Sequence, residues 1–416
     1  MKKKLLSLFL CAMLLASAAT LSGCAVKTSA TDLMADIKAA SVSDTPADVG
    51  FIQNQMRLSL SLFQASVAES PAKNVLISPL SIQLALAMTA NGAVGQTGSE
   101  MESLLGGSMP QDTLNAYLRT YTGNLPSRNT SKLEIANSIW FRDIDGLTVE
   151  KDFLQTNADF YDAQVYKAPF DGQTVSDINH WVKTHTDGMI DSILDEISED
   201  AMLYLINALV FDARWDEVYT LDSVRESTFT GLSGKAQDVD MMYSEESKYL
   251  DDGKATGFIK DYSGGDYSFV ALLPNEGVDL YDYIAGLTPD DLLDALSSVQ
   301  THAVFAAMPK FSCEYELRMN DVLAALGMPT AFGDQADFSK MGHSLYGNLF
   351  IEEVLHKTFL SVDELGTKAG AVTMVEMNAE GAMVERHVVI LDRPFVYMIL
   401  DNATNLPIFI GTVTEL

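Results

Sequence analysis

The stretch Leu203-Tyr204-Leu205-Ile206-Asn207-Ala208-Leu209-Val210-Phe211 lies near the middle of the chain and is apolar except for Asn207. It is bounded by Asp200 and Asp212. A continuous apolar run of this length, closed by polar residues, indicates a strand that is buried on both faces. The sequence therefore predicts that residues 203–211 form such a strand.

Helices are predicted mainly before this strand, and further strands after it. Apolar residues recur with helical spacing between positions 82 and 91 and between 178 and 185. Thr97-Gly98-Ser99-Glu100 has the pattern of a capping box and predicts the start of another helix. Apolar runs at 268–273, 388–391, 394–400 and 408–413 predict strands. Segregated helices and strands indicate an α+β fold.

A second informative stretch is Glu364-Leu365-Gly366-Thr367-Lys368-Ala369-Gly370-Ala371-Val372-Thr373. Its alternate residues from Thr367 to Thr373 are small, and residues two apart share one face of a strand. Two glycines weaken any permanent strand here, because glycine loses more backbone entropy on ordering. The pattern indicates a conformational switch, and the alternative is a flexible surface loop.

Composition and charge restrict the classes of function. The chain has 416 residues, of which 47% are hydrophobic, and residues 51–416 are expected to form one large domain or two tightly merged lobes. The formal net charge of −30 argues against binding to nucleic acid or to heparin-like polyanions, which need a basic surface. It favours basic partners, unless the acidity serves solubility alone.

The N-terminal residues have the pattern of an export signal. Lysines at positions 2–4 precede an apolar run over residues 5–19, which is too short to span a bilayer comfortably. Leu21-Ser22-Gly23-Cys24 resembles a bacterial lipobox. The pattern predicts a signal peptide over residues 1–23 and lipidation of Cys24, with anchoring at the cell surface. The alternative is an ordinary cleaved signal with an incidental cysteine.

Residues 24–50 are rich in Ala, Ser, Thr and Asp and are predicted to form a flexible tether. After signal removal, Cys24 and Cys313 are the cysteines left, so no internal disulfide is expected once Cys24 is acylated. The sequence lacks the G-x-S-x-G, H-E-x-x-H, Walker and G-x-G-x-x-G motifs. We therefore expect neither an enzyme nor a protein with a metal or cofactor.

Eight segments, in order along residues 51–416, together resemble the serpin family. They are Asn74-Val75-Leu76-Ile77-Ser78-Pro79-Leu80-Ser81, Asn91-Gly92-Ala93-Val94-Gly95-Gln96-Thr97, Ala136-Asn137-Ser138-Ile139-Trp140, Leu205 to Phe211 with Trp215, Pro309-Lys310-Phe311, Val354-Leu355-His356-Lys357, Arg393-Pro394-Phe395 and Phe409-Ile410-Gly411. The resemblance implies three β-sheets, eight to nine helices and an exposed reactive-centre loop. It also implies a monomeric suicide inhibitor: a serine protease cleaves the loop and is trapped when the loop inserts into the large sheet.

The resemblance assigns roles to individual residues. It implies a hinge formed by Glu364, Gly366, Thr367, Ala369, Ala371 and Thr373, in which Thr367 is the first residue to insert. It implies a polar shutter cluster of Ser78, Ser81, Asn207 and His356 beneath the sheet, and Trp215 in the breach where the loop enters.

The reactive bond is placed by counting. Seventeen residues from Glu364, the usual hinge length of the family, lead to Glu380–Gly381, and Ala379 and Met383 remain alternatives. These residues predict elastase-like, glutamyl-specific or chymotrypsin-like targets rather than trypsin-like ones. A non-inhibitory serpin that binds or carries a ligand is the alternative function.

Overall fold

The computed structural model describes residues 29–107, 109–367 and 387–416. Within these ranges no helix has both the length and the apolar character needed to cross a membrane. The α-helices are α1 Val49–Glu69, α2 Pro79–Ala90, α3 Gly95–Gly106, α4 Gln111–Asn124, α5 Lys151–Tyr161, α6 Gly172–His185, α7 Leu280–Ala285, α8 Pro289–Ser297 and α9 Asn320–Ala325.

The strands lie before, between and after these helices. They are β1 Thr31–Asp32, β2 Leu76–Ile77, β3 Ser131–Arg142, β4 Leu147–Val149, β5 Gln164–Ala168, β6 Leu203–Arg214, β7 Val224–Thr230, β8 Ala236–Asp251, β9 Ala255–Asp261, β10 Tyr267–Pro274, β11 Gln300–Pro309, β12 Phe311–Arg318, β13 Gly342–Ser344, β14 Glu353–Val362, β15 Gly366–Thr367, β16 His387–Ile390, β17 Phe395–Asp401 and β18 Leu406–Val413.

The strands of the described residues form three sheets, which confirms the predicted α+β class. A seven-stranded sheet has the order β1-β5-β3-β6-β15-β14-β12. A nine-stranded sheet has the order β16-β11-β8-β9-β10-β17-β18-β2, with β7 paired to β8. β4 and β13 form a two-stranded sheet.

β6 is the central strand of the seven-stranded sheet. It is buried on both faces, as its apolar run predicts. Leu205 and Phe211 belong to the main hydrophobic core, while Tyr204 and Ile206 belong to a second core on the opposite face. Helix α2 begins after Ser78, whose hydroxyl accepts a hydrogen bond from the backbone of Ser81. Every residue of α2 is buried, and it contacts both β6 and β18. It therefore lies between the two large sheets.

The described part of the predicted tether is docked on the domain. β1 pairs antiparallel with β5, and the Leu33 amide donates to the Val165 carbonyl at 2.8 Å. Leu33, Met34 and Ile37 pack against the main core. Helix α1 begins at Val49, two residues before the predicted domain boundary. The predicted tether differs from the structure because these apolar residues, scattered in a polar segment, bury enough surface to order it.

The predicted capping box at Thr97 is wrong. Helix α3 begins at Gly95, and no side chain caps its first turn. Thr97 is buried, and its hydroxyl accepts a hydrogen bond from the Asp337 amide at 3.0 Å. The Thr97 hydroxyl thus binds a residue distant in the sequence, whereas the local pattern predicts that it caps the helix.

Candidate functional site

The candidate site is the seam between two parallel strands, formed by residues 204–213 of β6 and 353–362 of β14. In the described part of the chain, direct pairing of β14 with β6 covers Glu353 to Leu355 opposite Tyr204 to Ile206. At the other end of the seam, β15 lies between them and is antiparallel to both. Thr367 is the partner of Val362 on one side and of Ala213 on the other.

β15 contains two of the predicted hinge residues. A Cβ atom added to Gly366 would lie 2.1 Å from the Ala213 carbonyl oxygen, so a larger residue would clash with the backbone of β6. Thr367 is fully buried, and its hydroxyl is hydrogen-bonded to the hydroxyl of Tyr262. The resemblance implies that Thr367 inserts first. The structure places it inside the sheet already.

The turn before β15 is held by Asp363 and by the predicted hinge residue Glu364. The Asp363 carboxylate accepts hydrogen bonds from the amides of Leu365, at 2.8 Å, and Gly366, at 3.2 Å. Lys310 Nζ lies 2.9 Å from Glu364 Oε2. Partial burial raises the pKa of Glu364, but the hydrogen bond and charge of Lys310 offset this, so its pKa lies below the ordinary value.

Trp215, the predicted breach residue, contacts the same turn. Its backbone amide donates to the Leu365 carbonyl at 2.9 Å, and its indole Nε1 donates to the Asp363 carbonyl at 2.8 Å. The indole stacks on Tyr262, with ring centroids 4.5 Å apart. Trp215 therefore connects the start of the hinge to the tyrosine that binds Thr367.

A buried ion pair lies behind Trp215, and no sequence pattern predicts it. Lys260 is only 2% exposed, and its Nζ lies 2.8 Å from Glu246 Oε1. The same ammonium group lies 4.6 Å from the ring centroid of Tyr219 and 5.7 Å from that of Trp215. Both rings present cation–π contacts to a largely desolvated charge.

The four predicted shutter residues lie together beneath the seam and are all buried. The Ser78 amide donates to His356 Nε2 at 3.1 Å, and the Ser81 hydroxyl hydrogen-bonds to Asn207 Oδ1. Asn207 Nδ2 in turn donates to Asn137 Oδ1 on β3. The cluster thus links α2, β14, β6 and β3 through side chains on the inner face of the sheet.

Two further residues belong to this cluster. Asn137 lies within a segment that resembles the family pattern, but it is not one of the four predicted shutter residues. The Thr358 hydroxyl donates to the Leu76 carbonyl at 2.7 Å and connects β14 to β2. Thr358 follows His356 by two residues, and the period of a strand could have indicated that it shares the inner face.

Burial lowers the pKa of His356 to about 3, so the ring is neutral at physiological pH.

Several predicted residues lie outside the described residues: Cys24, Ala369, Ala371, Thr373, Ala379, Glu380, Gly381 and Met383.

Cys313 is a buried free thiol on β12. Burial raises its pKa to about 11, which agrees with a packing role rather than a reactive one. Within the described ranges, no group of three or more His, Cys, Asp or Glu side chains could hold a metal ion.

Comparison with known proteins agrees with this geometry. The native-state structure of the thermophilic serpin tengpin has a TM-score of 0.90 and 51% sequence identity, and the match covers 93% of this chain and 100% of that one. The latent-state structure of tengpin has a TM-score of 0.81 and 49% identity, with coverages of 90% and 100%. The fold thus agrees better with the native state.

Sequence relatives lead to the same family. An uncharacterized serpin-like protein of Thermococcus kodakarensis is 31% identical over 346 residues, which are 81% of this chain and 80% of the relative. Residues 53–416 match the family described as Serpin (serine protease inhibitor). The chain therefore belongs to the serpin family.

Proposed function

We propose that this protein is a suicide inhibitor of serine proteases. A protease cleaves the segment after β15 and forms an acyl-enzyme, and the freed segment extends β15 down the seam before the ester is hydrolysed. The single observation that carries this proposal is β15 itself. It lies between β6 and β14 and is antiparallel to both, which is the polarity that a continuing strand would need.

The register of β15 supports a limit on the length of the inserted strand. Thr367 is opposite Val362 and Ala213. Continued antiparallel pairing would bring position 376 opposite Glu353 and position 377 opposite Leu203, where the two neighbouring strands begin. The predicted bond at Glu380–Gly381 follows these positions, as do the alternatives at Ala379 and Met383.

Insertion would release a useful amount of free energy. About ten new main-chain hydrogen bonds, at ~0.5–1.5 kcal/mol each, supply on the order of 10 kcal/mol. This is enough to drive the change from a kinetically trapped native state to a more stable one. Small side chains at positions 369, 371 and 373 would enter the inner face without the expense of burying charge.

The residues near the reactive bond favour particular targets. Glu380 suits a glutamyl-specific protease, Ala379 an elastase-like one, and Met383 an elastase-like or chymotrypsin-like one. The net charge of −30 would accelerate association with a basic protease. We therefore propose a basic serine protease with one of these specificities as the target.

The alternative is a non-inhibitory serpin that acts as a binding or carrier protein. The protein should be incubated with glutamyl-specific, elastase-like, chymotrypsin-like and trypsin-like proteases and analysed on denaturing gels. Inhibition predicts a detergent-stable complex with one of the first three, and the mass of the released C-terminal peptide identifies the bond. Cleavage without a complex, and without a rise in melting temperature, would contradict inhibition and favour the alternative.

We further propose that the mature protein is exported and anchored to a membrane through acylated Cys24. The proposal is supported by the lysines at positions 2–4, the apolar run at 5–19 and the lipobox-like residues 21–24. Replacing Cys24 with serine should abolish labelling by a radioactive fatty acid and release the protein from the membrane fraction. Equal membrane association of this variant would contradict the anchor.

A further inference from the structure

Two histidines meet at the edge of the nine-stranded sheet. β11 pairs with β8 antiparallel and with β16 parallel. Its pairing with β8 shifts register between Thr301 and Val304, and His302 lies within this irregularity. A bulge of this kind redirects the side chain of the extra residue. His302 Nδ1 thereby forms a hydrogen bond of 3.0 Å with His387 Nε2 on β16.

The pair is oriented and accessible. The His387 ring stacks on Tyr249, with ring centroids 3.8 Å apart and planes 13° from parallel. This contact limits rotation of the ring, and the pair lies on the exposed surface. The other four histidines of the chain lie elsewhere: His356 is buried in the shutter, His185 stacks on Trp181, and His180 and His343 are exposed.

The separation of the two nitrogens fits one metal ion. Imidazole nitrogens bind a divalent transition metal at about 2.0–2.1 Å. Two such ligands are therefore about 2.9 Å apart at neighbouring corners of a square and about 3.4 Å apart in a tetrahedron. The observed 3.0 Å is a hydrogen-bond distance between the two nitrogens, and it is also close to the first value, which is the geometry that Cu²⁺ prefers. An ion could therefore replace the shared proton with little movement of the rings.

We propose that His302 and His387 form a two-imidazole binding site for a divalent transition metal, preferably Cu²⁺ and more weakly Zn²⁺. Water would complete the coordination, and the strongly acidic chain would raise the local concentration of cations. Binding would displace the proton of the hydrogen bond between the two nitrogens, so that both lone pairs face the ion. In the bound state the remaining ring protons would sit on Nε2 of His302 and Nδ1 of His387.

A bound ion would crosslink β16 to the sheet. β16 is an edge strand, and within the described residues its ladder pairs it with β11 alone, over Val304 to Ala307. It is also the first described strand after positions 368–386, which contain the predicted reactive bond. The ion would join β16 to β11 by two coordinate bonds, so detachment of this strand would require the loss of a ligand.

Binding is tested with Cu²⁺ at one equivalent and pH 7.5, followed by electron paramagnetic resonance. The proposal predicts hyperfine coupling to two imidazole nitrogens in the full-length protein. His302→Asn and His387→Asn should each lose at least one nitrogen and bind at least tenfold more weakly. His343→Asn, at an exposed histidine outside the pair, should match the wild type. Oxygen-only coordination, or unchanged binding in the two variants, would overturn the site.

Hydrogen exchange tests the crosslink. The ion is expected to bind only while β16 is paired with β11, because the site needs a ligand from each strand. Cu²⁺ at ~100 times its Kd should then slow hydrogen exchange of the β16 amides about 100-fold. The effect should be absent in His302→Asn, whose circular dichroism spectrum is expected to be that of the folded wild type because the residue is exposed. Equal exchange with and without Cu²⁺ in the wild type would refute the crosslink.

Discussion

The hydroxyl of Tyr262 is hydrogen-bonded to the hydroxyl of Thr367, and both side chains are fully buried. Tyr262 also stacks on Trp215, which binds the turn before β15 through two hydrogen bonds. The hinge is therefore held in the sheet by a specific polar contact in an apolar setting. Loss of that contact leaves a buried hydroxyl without a partner, which is unfavourable by ~1–3 kcal/mol.

Thr367→Arg should convert an inhibitor into a substrate. The longer, charged side chain would have to occupy a fully buried position, and an unpaired buried charge is expensive. β15 should leave the seam, and proteases should cleave the protein with little complex formed on denaturing gels. Thr367→Ser is the matched control, because it keeps the hydroxyl that binds Tyr262 and adds no charge, so it should retain most of the complex. Full complex yield with arginine would contradict insertion at this seam.

Gly366→Ala should also expel β15 from the sheet. The added Cβ would lie 2.1 Å from the Ala213 carbonyl oxygen. The backbone must move to relieve this clash, which should destabilise the paired state of β15 by ~1–3 kcal/mol. Amide exchange of Gly366 and Thr367 should accelerate. Gly123→Ala in α4 is the control, since no atom lies within 4 Å of its added Cβ. Exchange rates equal to those of the wild type would show that the seam tolerates the larger residue.

Glu246→Gln should destabilise the protein strongly, because it leaves Lys260 buried without its anionic partner. We expect a loss of ~3–5 kcal/mol, measured by denaturant unfolding. The double variant Lys260→Met with Glu246→Leu should recover most of this loss. Asp191→Asn, which breaks an exposed pair with Lys183, should change nothing measurable. A similar small effect for Glu246→Gln would mean that water reaches Lys260.

Acid should destabilise the native state through His356. Its pKa is about 3 in the folded chain and 6.5 as the ordinary value, so between these values only the unfolded chain binds the proton. Stability should therefore fall as pH drops below 6.5, by about 1.4 kcal/mol per pH unit from this group. The difference in unfolding free energy between wild type and His356→Gln, measured at pH 7.5, 6.0 and 5.0, isolates this contribution. The same pH-dependent difference in unfolding free energy should be found when His356→Gln is compared with His343→Gln instead of with the wild type. A difference independent of pH would exclude a neutral buried His356.

Sequence patterns predict well those elements that bury nearly all of their own residues. The apolar run at 203–211 lies in β6, and the residues with helical spacing before Asn91 lie in α2. Each segment buries nearly all its residues. Family resemblance alone groups the four shutter residues. Their spacing in the sequence carries no sign that Ser78 and His356 share a hydrogen bond.

The features that sequence patterns missed depend on distant partners. Lys260 and Glu246 are both ordinary surface residue types, and the rings of Tyr219 and Trp215 that lie over the Lys260 ammonium group come from distant parts of the sequence. β15 has only two residues, so no periodicity could show that it is already paired. Thr97 has a local capping pattern, yet a contact with Asp337 determines its role.

The short N-terminal strand β1 has a consequence for association between copies of the chain. An edge strand exposes unpaired backbone donors and acceptors, which can template pairing with another molecule. β1 covers the edge of β5 with only two residues, and Leu33, Met34 and Ile37 continue from it onto the core. The protein thereby supplies its own cover for this edge. A preparation that starts after residue 48 would present β5 as a self-complementary surface and should aggregate at high concentration.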